Sequence, residues 1–159
     1  RDALRHIEAL LCAALISGAL QRVLAQTLAY ANQRVQFGKP IGKFQAVQHQ
    51  LSLMAEHVFA ARMSAALAAR GASLAAVDRL RVAVAKARCS EAALEVASLA
   101  HSIHGAIGFT EAFDLQLSTR RLHAWRHCAG AESYWHDQLG AALLARPDGP
   151  ALDLLRELS

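Results

Sequence analysis

Arg34-Val35-Gln36-Phe37-Gly38-Lys39-Pro40-Ile41-Gly42-Lys43-Phe44-Gln45 decides how this chain is read. Upstream, from about Ala3 to Gln33, apolar residues recur at helical spacing: Leu4, Ile7, Leu11, Leu15, Ala19, Val23 and Leu28. No proline interrupts that run, and Gly18 is its one glycine. At the rise of an α-helix such a run spans roughly 45 Å. Downstream, from about Phe44 to Arg70, Val47, Leu51, Met54, Val58, Ala61 and Ala65 form one stripe. Gly38 and Pro40 separate the two runs, so the stretch predicts a tight connection that turns the chain back on itself.

The same pattern continues to the C-terminal side. Gly71-Ala72-Ser73 reads as a helix stop and restart. A third run, from about Leu74 to Ile103, carries Val77, Leu80, Val84, Ala87, Ala92, Leu94 and Leu99. Its charges, among them Asp78, Arg79, Lys86, Arg88 and Glu91, fall mostly between the apolar positions. His104-Gly105-Ala106-Ile107-Gly108 breaks the pattern. A fourth helix is expected over Ala112 to His127, a fifth over Glu132 to Leu144, and a short terminal turn over Ala151 to Leu158. Long helices joined by short Gly/Pro turns predict an all-α fold. The expected form is an antiparallel up-down bundle of four long helices and a shorter terminal one, with residues 1–159 as a single domain. The second and third helices are apolar around much of their circumference, which suits both a central place in the bundle and an oligomer interface.

Composition narrows the function classes. A chain of 159 residues, 54% hydrophobic and with three prolines, is not a disordered tail or linker. Its net charge of +4 suits an anionic small ligand as well as nucleic acid, so charge alone decides nothing. Cys12, Cys89 and Cys128 are odd in number, widely spaced and without a C-x-x-C pair, which argues against a disulfide framework and for a reducing, cytoplasmic setting. The apolar stretch from Ala9 to Leu20 is stopped by Arg22 short of a membrane span, and no secretory signal is evident. The chain starts at Arg1 rather than Met, as a piece of a longer protein would.

Three places carry chemistry. In the quoted stretch Gln45 lies eleven positions after Arg34 (45 minus 34). The plain reading is a helix connection in which Arg34 answers the dipole of the helix it ends. The functional reading uses the planar arginine fork, which suits a diphosphate, with Phe37 as an apolar wall and Gln45 as a second polar contact. His101-Ser102-Ile103-His104-Gly105-Ala106-Ile107-Gly108 is either a helix stop or a place where glycines let a ligand approach the backbone. His101 with His104, and His123 with His127, share helix faces, but no carboxylate or cysteine completes a metal set, and no metal is expected. Arg120, Arg121 and Arg126 crowd the second pair with positive charge. Trp125, Tyr134 and Trp135 read as core or interface anchors.

R-V-Q-F-G-K-P-I-x-x-F-Q and I-H-G-A-I-G-F-T, with Arg120-Arg121 following, resemble the C-terminal helical domain of the acyl-CoA dehydrogenases from about Ala3 to Leu144. The resemblance implies FAD as cofactor. Arg34 would contact its diphosphate, typically that of a neighbouring subunit, and Gln45 and Phe37 would lie on the same cofactor. Ser102, Ile103, His104, Gly105 and Ala106 match the family's Q-x-x-G-G turn near the adenosine half. Ser102 stands for the usual glutamine there and Ala106 for the second glycine. Gly130 matches the glycine beside the substrate thioester and flavin.

The departure falls one residue earlier. The family's common pattern places its catalytic glutamate before that glycine, 24 positions after Gly105 (129 minus 105), and this chain has Ala129. Alanine accepts no proton. A branch that resembles isovaleryl- and long-chain-specific enzymes takes its base from the first helix, 26 positions before the flavin arginine. Counting back from Arg34 lands on Glu8 (34 minus 26). Among Ile7, Ala9 and Leu10 a buried carboxylate would have a raised pKa suited to a base, whereas the plain reading is a surface glutamate in a helix's first turns.

What the resemblance implies for function is α,β-dehydrogenation of an acyl-CoA substrate. Electrons would pass to an electron-transfer flavoprotein or similar acceptor, in a homodimer, homotetramer or hetero-oligomer, with no nucleic-acid partner and no membrane span. The family's N-terminal helical and β domains are expected to be absent from this chain. Ala129 keeps two alternatives open. One is a non-catalytic subunit that completes a partner's FAD site. The other is a relative that resembles the flavin monooxygenases or nitroalkane oxidase.

Overall fold

The computed structural model describes residues 2–73 and 76–145, together with Asp153 and Arg156. Among them five α-helices form an all-α bundle: α1 Asp2–Gln33, α2 Gln45–Ala69, α3 Arg79–His104, α4 Leu115–His127 and α5 Glu132–Leu144. The expected terminal turn over 151–158 and the first residues of the expected third run lie outside the described residues, Asp153 and Arg156 apart.

Side-chain pairs fix the helix directions. Gln50 donates to Ser102 at 3.1 Å, and Arg88 donates to His57 at 2.8 Å, so α2 and α3 are antiparallel. Arg79 pairs with Asp2 at 3.0 Å where α3 and α1 begin, and Tyr30 meets His104 where they end, so these two are parallel. His101 lies 2.9 Å from Thr119 while Lys86 reaches Arg126, which makes α4 antiparallel to α3. α3 is the central helix, and Val82, Ala85, Ala92, Ala93, Val96 and Ala100 are buried along its length. Its alanines let the neighbours approach closely. Ile16, Leu20 and Val23 of α1, Met54 of α2, Leu115 and Leu122 of α4 and Trp135 of α5 fill the remaining space and are fully buried.

Local chemistry sets the helix ends. Asp78 caps α3, accepting from the backbone N–H groups of Leu80 and Arg81 at 3.0 Å each, so the helix starts at Arg79 rather than near Leu74. α4 begins at Leu115, three residues later than expected (115 minus 112), because Phe113 turns into the bundle against Tyr30 and His104. α1 is long and apolar enough by length and composition to cross a membrane, with a mean hydropathy of 1.6 in its most apolar window. In this structure one side of it packs against α2, α3 and α4, and Leu11 and Leu15 remain exposed on another.

Candidate functional site

Between α1 and α2 the chain forms a small antiparallel hairpin, β1 Val35–Gln36 with β2 Lys39–Pro40, in the register Val35↔Pro40 and Gln36↔Lys39. Its two turn residues, Phe37 at φ 52° and Gly38 at φ 78°, both take the left-handed conformation that a two-residue hairpin of this hand requires. For a phenylalanine that conformation is strained by roughly 1–2 kcal/mol. The ring nevertheless stands 91% exposed, in edge-on contact with Phe44 at 6.2 Å. The hairpin folds back on α1 through the Ile41 N–H, which donates to the Arg34 carbonyl at 2.8 Å.

This hairpin is a concentration of positive charge, of which the Lys39 ammonium lies over the Phe44 ring at 4.4 Å. No Asp or Glu occurs between Glu8 and Glu56, whereas Arg34, Lys39 and Lys43 fall within ten residues (43 minus 34 is 9). The Arg34 guanidinium is exposed and has no hydrogen-bond or ion-pair partner among the described residues. Gln45 is the exposed first residue of α2, and no side chain caps that helix, so its leading N–H groups and dipole face outward beside the hairpin.

The second glycine turn lies next to it. Gly105 ends α3 at φ 64°, and a 3-10 turn, Gly105–Phe109, follows. Ser102 and Ile103 share a groove of about 270 Å³ with Gln36, Phe37, Phe44 and Gln50, so the two motifs that are far apart in sequence form one surface. Ser102, Gly105 and Ala106 are exposed. Ile103 and His104 are buried, and the His104 ring sits inside the bundle, stacked on Tyr30 with centroids 4.3 Å apart. Its Nδ1 donates to the Ala100 carbonyl at 2.8 Å and burial holds its pKa below the ordinary value, so whatever His104 presents outward is backbone. His101 turns the other way, onto Thr119 and the Phe109 ring.

A third cluster forms where α4 gives way to α5. Ala129 has φ 59° and Gly130 φ 112°, two successive left-handed residues. A Cβ on Gly130 would come within 2.9 Å of Tyr134 Cδ1, so the turn admits only glycine there. Arg126 and Glu132 form an ion pair across it. Burial alone pushes the Glu132 carboxyl up, but the Arg126 guanidinium holds it below its ordinary value. The base of the turn is held by Lys86, which is fully buried. Its Nζ donates to the carbonyls of Arg126 at 2.8 Å and Gly130 at 3.0 Å and to Ser90 Oγ at 2.9 Å. Burial pulls the Lys86 pKa down, opposed by the neighbouring Cys12 and Glu132.

The start of α1 packs on this same turn. Arg5 donates to the Tyr134 hydroxyl at 3.0 Å, and Cys12 lies beside the thiol of Cys128. Burial, with that thiol, pushes the Cys12 pKa up. Residues 5, 8 and 12 share one face of a helix. Glu8 therefore lies on the face that carries Arg5 to one side of Ala129 and Cys12 to the other.

The expected burial of Glu8 is not found, because the residue is exposed. Successive helix positions point about 100° apart, so the apolar neighbours Ile7, Ala9 and Leu10 do not enclose it. Ala9 faces the core instead. Lys86 is the residue the sequence reading missed. It looked like one more charge between apolar positions, and its flanking Ala85 and Ala87, with Ser90 one turn on, were the available signal.

The family model described as acyl-CoA dehydrogenase, C-terminal domain, matches residues 4–144. The chain belongs to the acyl-CoA dehydrogenase family of oxidoreductases, as its C-terminal helical domain. It is 42% identical over 115 residues to acyl-CoA dehydrogenase IpdE2 of Mycolicibacterium smegmatis, an alignment that covers 72% of this chain and 35% of that protein. The chain thus spans about a third of the length of this relative. Among solved structures, the glutaryl-coenzyme A dehydrogenase complex with glutaryl-CoA is 31% identical with a TM-score of 0.81, covering 89% of this chain and 36% of that one. One chain of the ChsE4–ChsE5 complex from Mycobacterium tuberculosis gives a TM-score of 0.83 at 26% identity, covering 91% and 40%.

Proposed function

We propose that residues 1–159 are the C-terminal domain of a FAD-dependent enzyme that dehydrogenates an acyl-CoA thioester between its α and β carbons, with Glu8 as the base. The observation that carries this reading is the placing of Glu8 on the one face of α1 whose neighbours, Arg5 and Cys12, touch the chain on either side of Ala129. That shared face supports reading Glu8 as the carboxylate that serves the turn where the usual one is missing.

The hairpin fits the cofactor. An exposed guanidinium without a partner among the described residues, two lysines, an uncapped helix N-terminus and the Gln45 amide are a donor set for a diphosphate, and the chain has no Asp or Glu from residue 9 to residue 55 to repel it. Arg34, Gln45 and Phe37 would hold that part of FAD. Ser102, Gly105 and Ala106, with the backbone of Ile103 and His104, would line its adenosine half across the shared groove.

FAD, when bound, supplies the two-electron acceptor for the β-hydrogen. Glu8 takes the α-proton, and the electrons of that Cα–H bond become the new Cα=Cβ bond as the β-hydrogen departs with its own pair. Gly130 would lie against the thioester. A removed base costs about 10²- to 10⁴-fold.

The partners follow from the same reading: an acyl-CoA, an electron-transfer flavoprotein or similar acceptor, and further subunits. Arg34 is exposed and engages no described side chain, as a residue serving a neighbour's cofactor would be. The groove between α1 and α2, lined by Leu24, Leu28, Val58 and Phe59, with Phe59 62% exposed, suits a subunit contact. Three free thiols fit a reducing cytoplasm.

Ala129 favours a second reading, in which the chain completes a partner's FAD site without abstracting a proton or runs other flavin chemistry on the same scaffold. Full-length protein with bound flavin, titrated anaerobically with short-, medium- and long-chain acyl-CoAs, separates the two. Bleaching that is lost in Glu8→Gln supports the dehydrogenase. Bound flavin that no acyl-CoA reduces removes it in favour of the second reading.

A further inference from the structure

An ammonium group buried without a carboxylate is costly, and this one is kept for a reason visible in its contacts. No described Asp or Glu pairs with Lys86; its three N–H groups are all donated to oxygen, one to Ser90 and two to main-chain carbonyls of a single turn. The Arg126 carbonyl is one of the last in α4 and has no partner within its helix, and the Gly130 carbonyl follows the two left-handed residues. One nitrogen therefore fixes both ends of the 127–129 loop relative to α3. Tyr134 and Trp135 pack closely on the turn at Gly130. With every proton engaged, Nζ has no free lone pair and cannot serve as the base itself.

We propose that Lys86 is the positioning residue of the α4–α5 turn, holding Gly130 at the height its place against the thioester requires. The functional half of this rests on the reading of that turn as the reaction site; the structural half does not.

The test uses the full-length holoenzyme and Lys86→Met, a side chain of similar length without donors. Hydrogen exchange across residues 126–132 reads the holding, and anaerobic flavin bleaching by the best-reducing acyl-CoA reads the consequence. Expected are faster exchange confined to that segment and a bleaching rate at saturation about 10- to 100-fold lower, with FAD content unchanged and half-saturation within about 3-fold. A general structural loss would instead move FAD content and half-saturation together, and would overturn the positioning role, as would a wild-type bleaching rate. If Lys86→Met is insoluble, Ser90→Ala decides, since it removes one of the three acceptors: a rate about 3-fold lower supports the proposal and an unchanged rate overturns it. If no acyl-CoA reduces the wild-type flavin, the dehydrogenase reading fails and exchange alone decides. Unchanged exchange in Lys86→Met, or in Ser90→Ala where that variant has to stand in, then overturns the holding of the turn by Lys86.

Discussion

Tyr30 stacks on His104 with ring centroids 4.3 Å apart, and its hydroxyl donates to the His104 carbonyl at 3.3 Å. This pair ties the end of α1, just before Arg34, to the end of α3, just before Gly105, and so holds the two glycine turns side by side. It also makes the junction sensitive to acid. The His104 Nδ1 is committed as a donor to Ala100, and its Nε2 is buried without a partner, so a second proton would have no acceptor. Burial lowers the pKa of His104 and of His101 from 6.5. The unfolded chain then takes up protons first, and stability is lost as pH falls from 6.5 through the folded-state values. Thermal melts should give a flat Tm above about pH 7 and a falling one below, and His104→Phe, which keeps an aromatic stack, should shrink that fall. A Tm that rises on acidification through this range would contradict the assignment.

Phe37 holds a strained backbone conformation at the tip of the hairpin while its ring is almost wholly exposed. Asn-Gly is the preferred pair for this turn, so Phe37→Asn should stabilise the protein by about 1 kcal/mol, read as a higher Tm. The same change removes the apolar wall of the groove. Flavin retention on dilution should therefore worsen as stability improves. Equal retention by both proteins would show that the strain serves something other than the cofactor.

The helical runs were readable because apolar spacing and the Gly/Pro breaks are local signals. Asp78 as a cap was also there to be read, and would have moved the start of α3 to Arg79. Tertiary effects were not. Phe113 delays α4 because it packs on Tyr30, 83 positions earlier (113 minus 30). Lys86 looks like a surface charge until its acceptors, 40 and 44 positions away, are brought to it. The motif positions around Arg34 and Gly105 were legible, but not that Ile103 and His104 turn inward while Ser102 stays out.

Arg34 carries the clearest expectation for the cofactor. Charge-assisted hydrogen bonds contribute about 1.5–3 kcal/mol each, so Arg34→Ala in the full-length protein should weaken FAD binding by roughly 10- to 100-fold. Arg34→Lys should recover only part of that, because a point charge cannot reproduce the paired fork. Flavin fluorescence titration of the apoprotein measures both. Because the guanidinium has no partner among the described residues, Arg34→Ala should leave Tm of the apoprotein unchanged. Equal FAD affinity in wild type and Arg34→Ala would remove the hairpin from the cofactor site.

If Glu8 is the base, a carboxylate placed at position 129 should be able to stand in for it. Glu8→Gln should abolish flavin bleaching by acyl-CoA with little change in FAD content. Adding Ala129→Glu to that variant returns a carboxylate at the turn, and bleaching should recover in part. Recovery is expected to be incomplete, because Ala129 is half-buried against the core and a longer side chain there has to displace its neighbours. Its rate should also depend on Lys86, since that residue holds both the turn on which the new carboxylate would stand and Gly130. The triple variant with Lys86→Met should therefore lose the recovered activity. A double variant as inactive as Glu8→Gln alone, with flavin bound and protein folded, would show that Ala129 does not face the substrate.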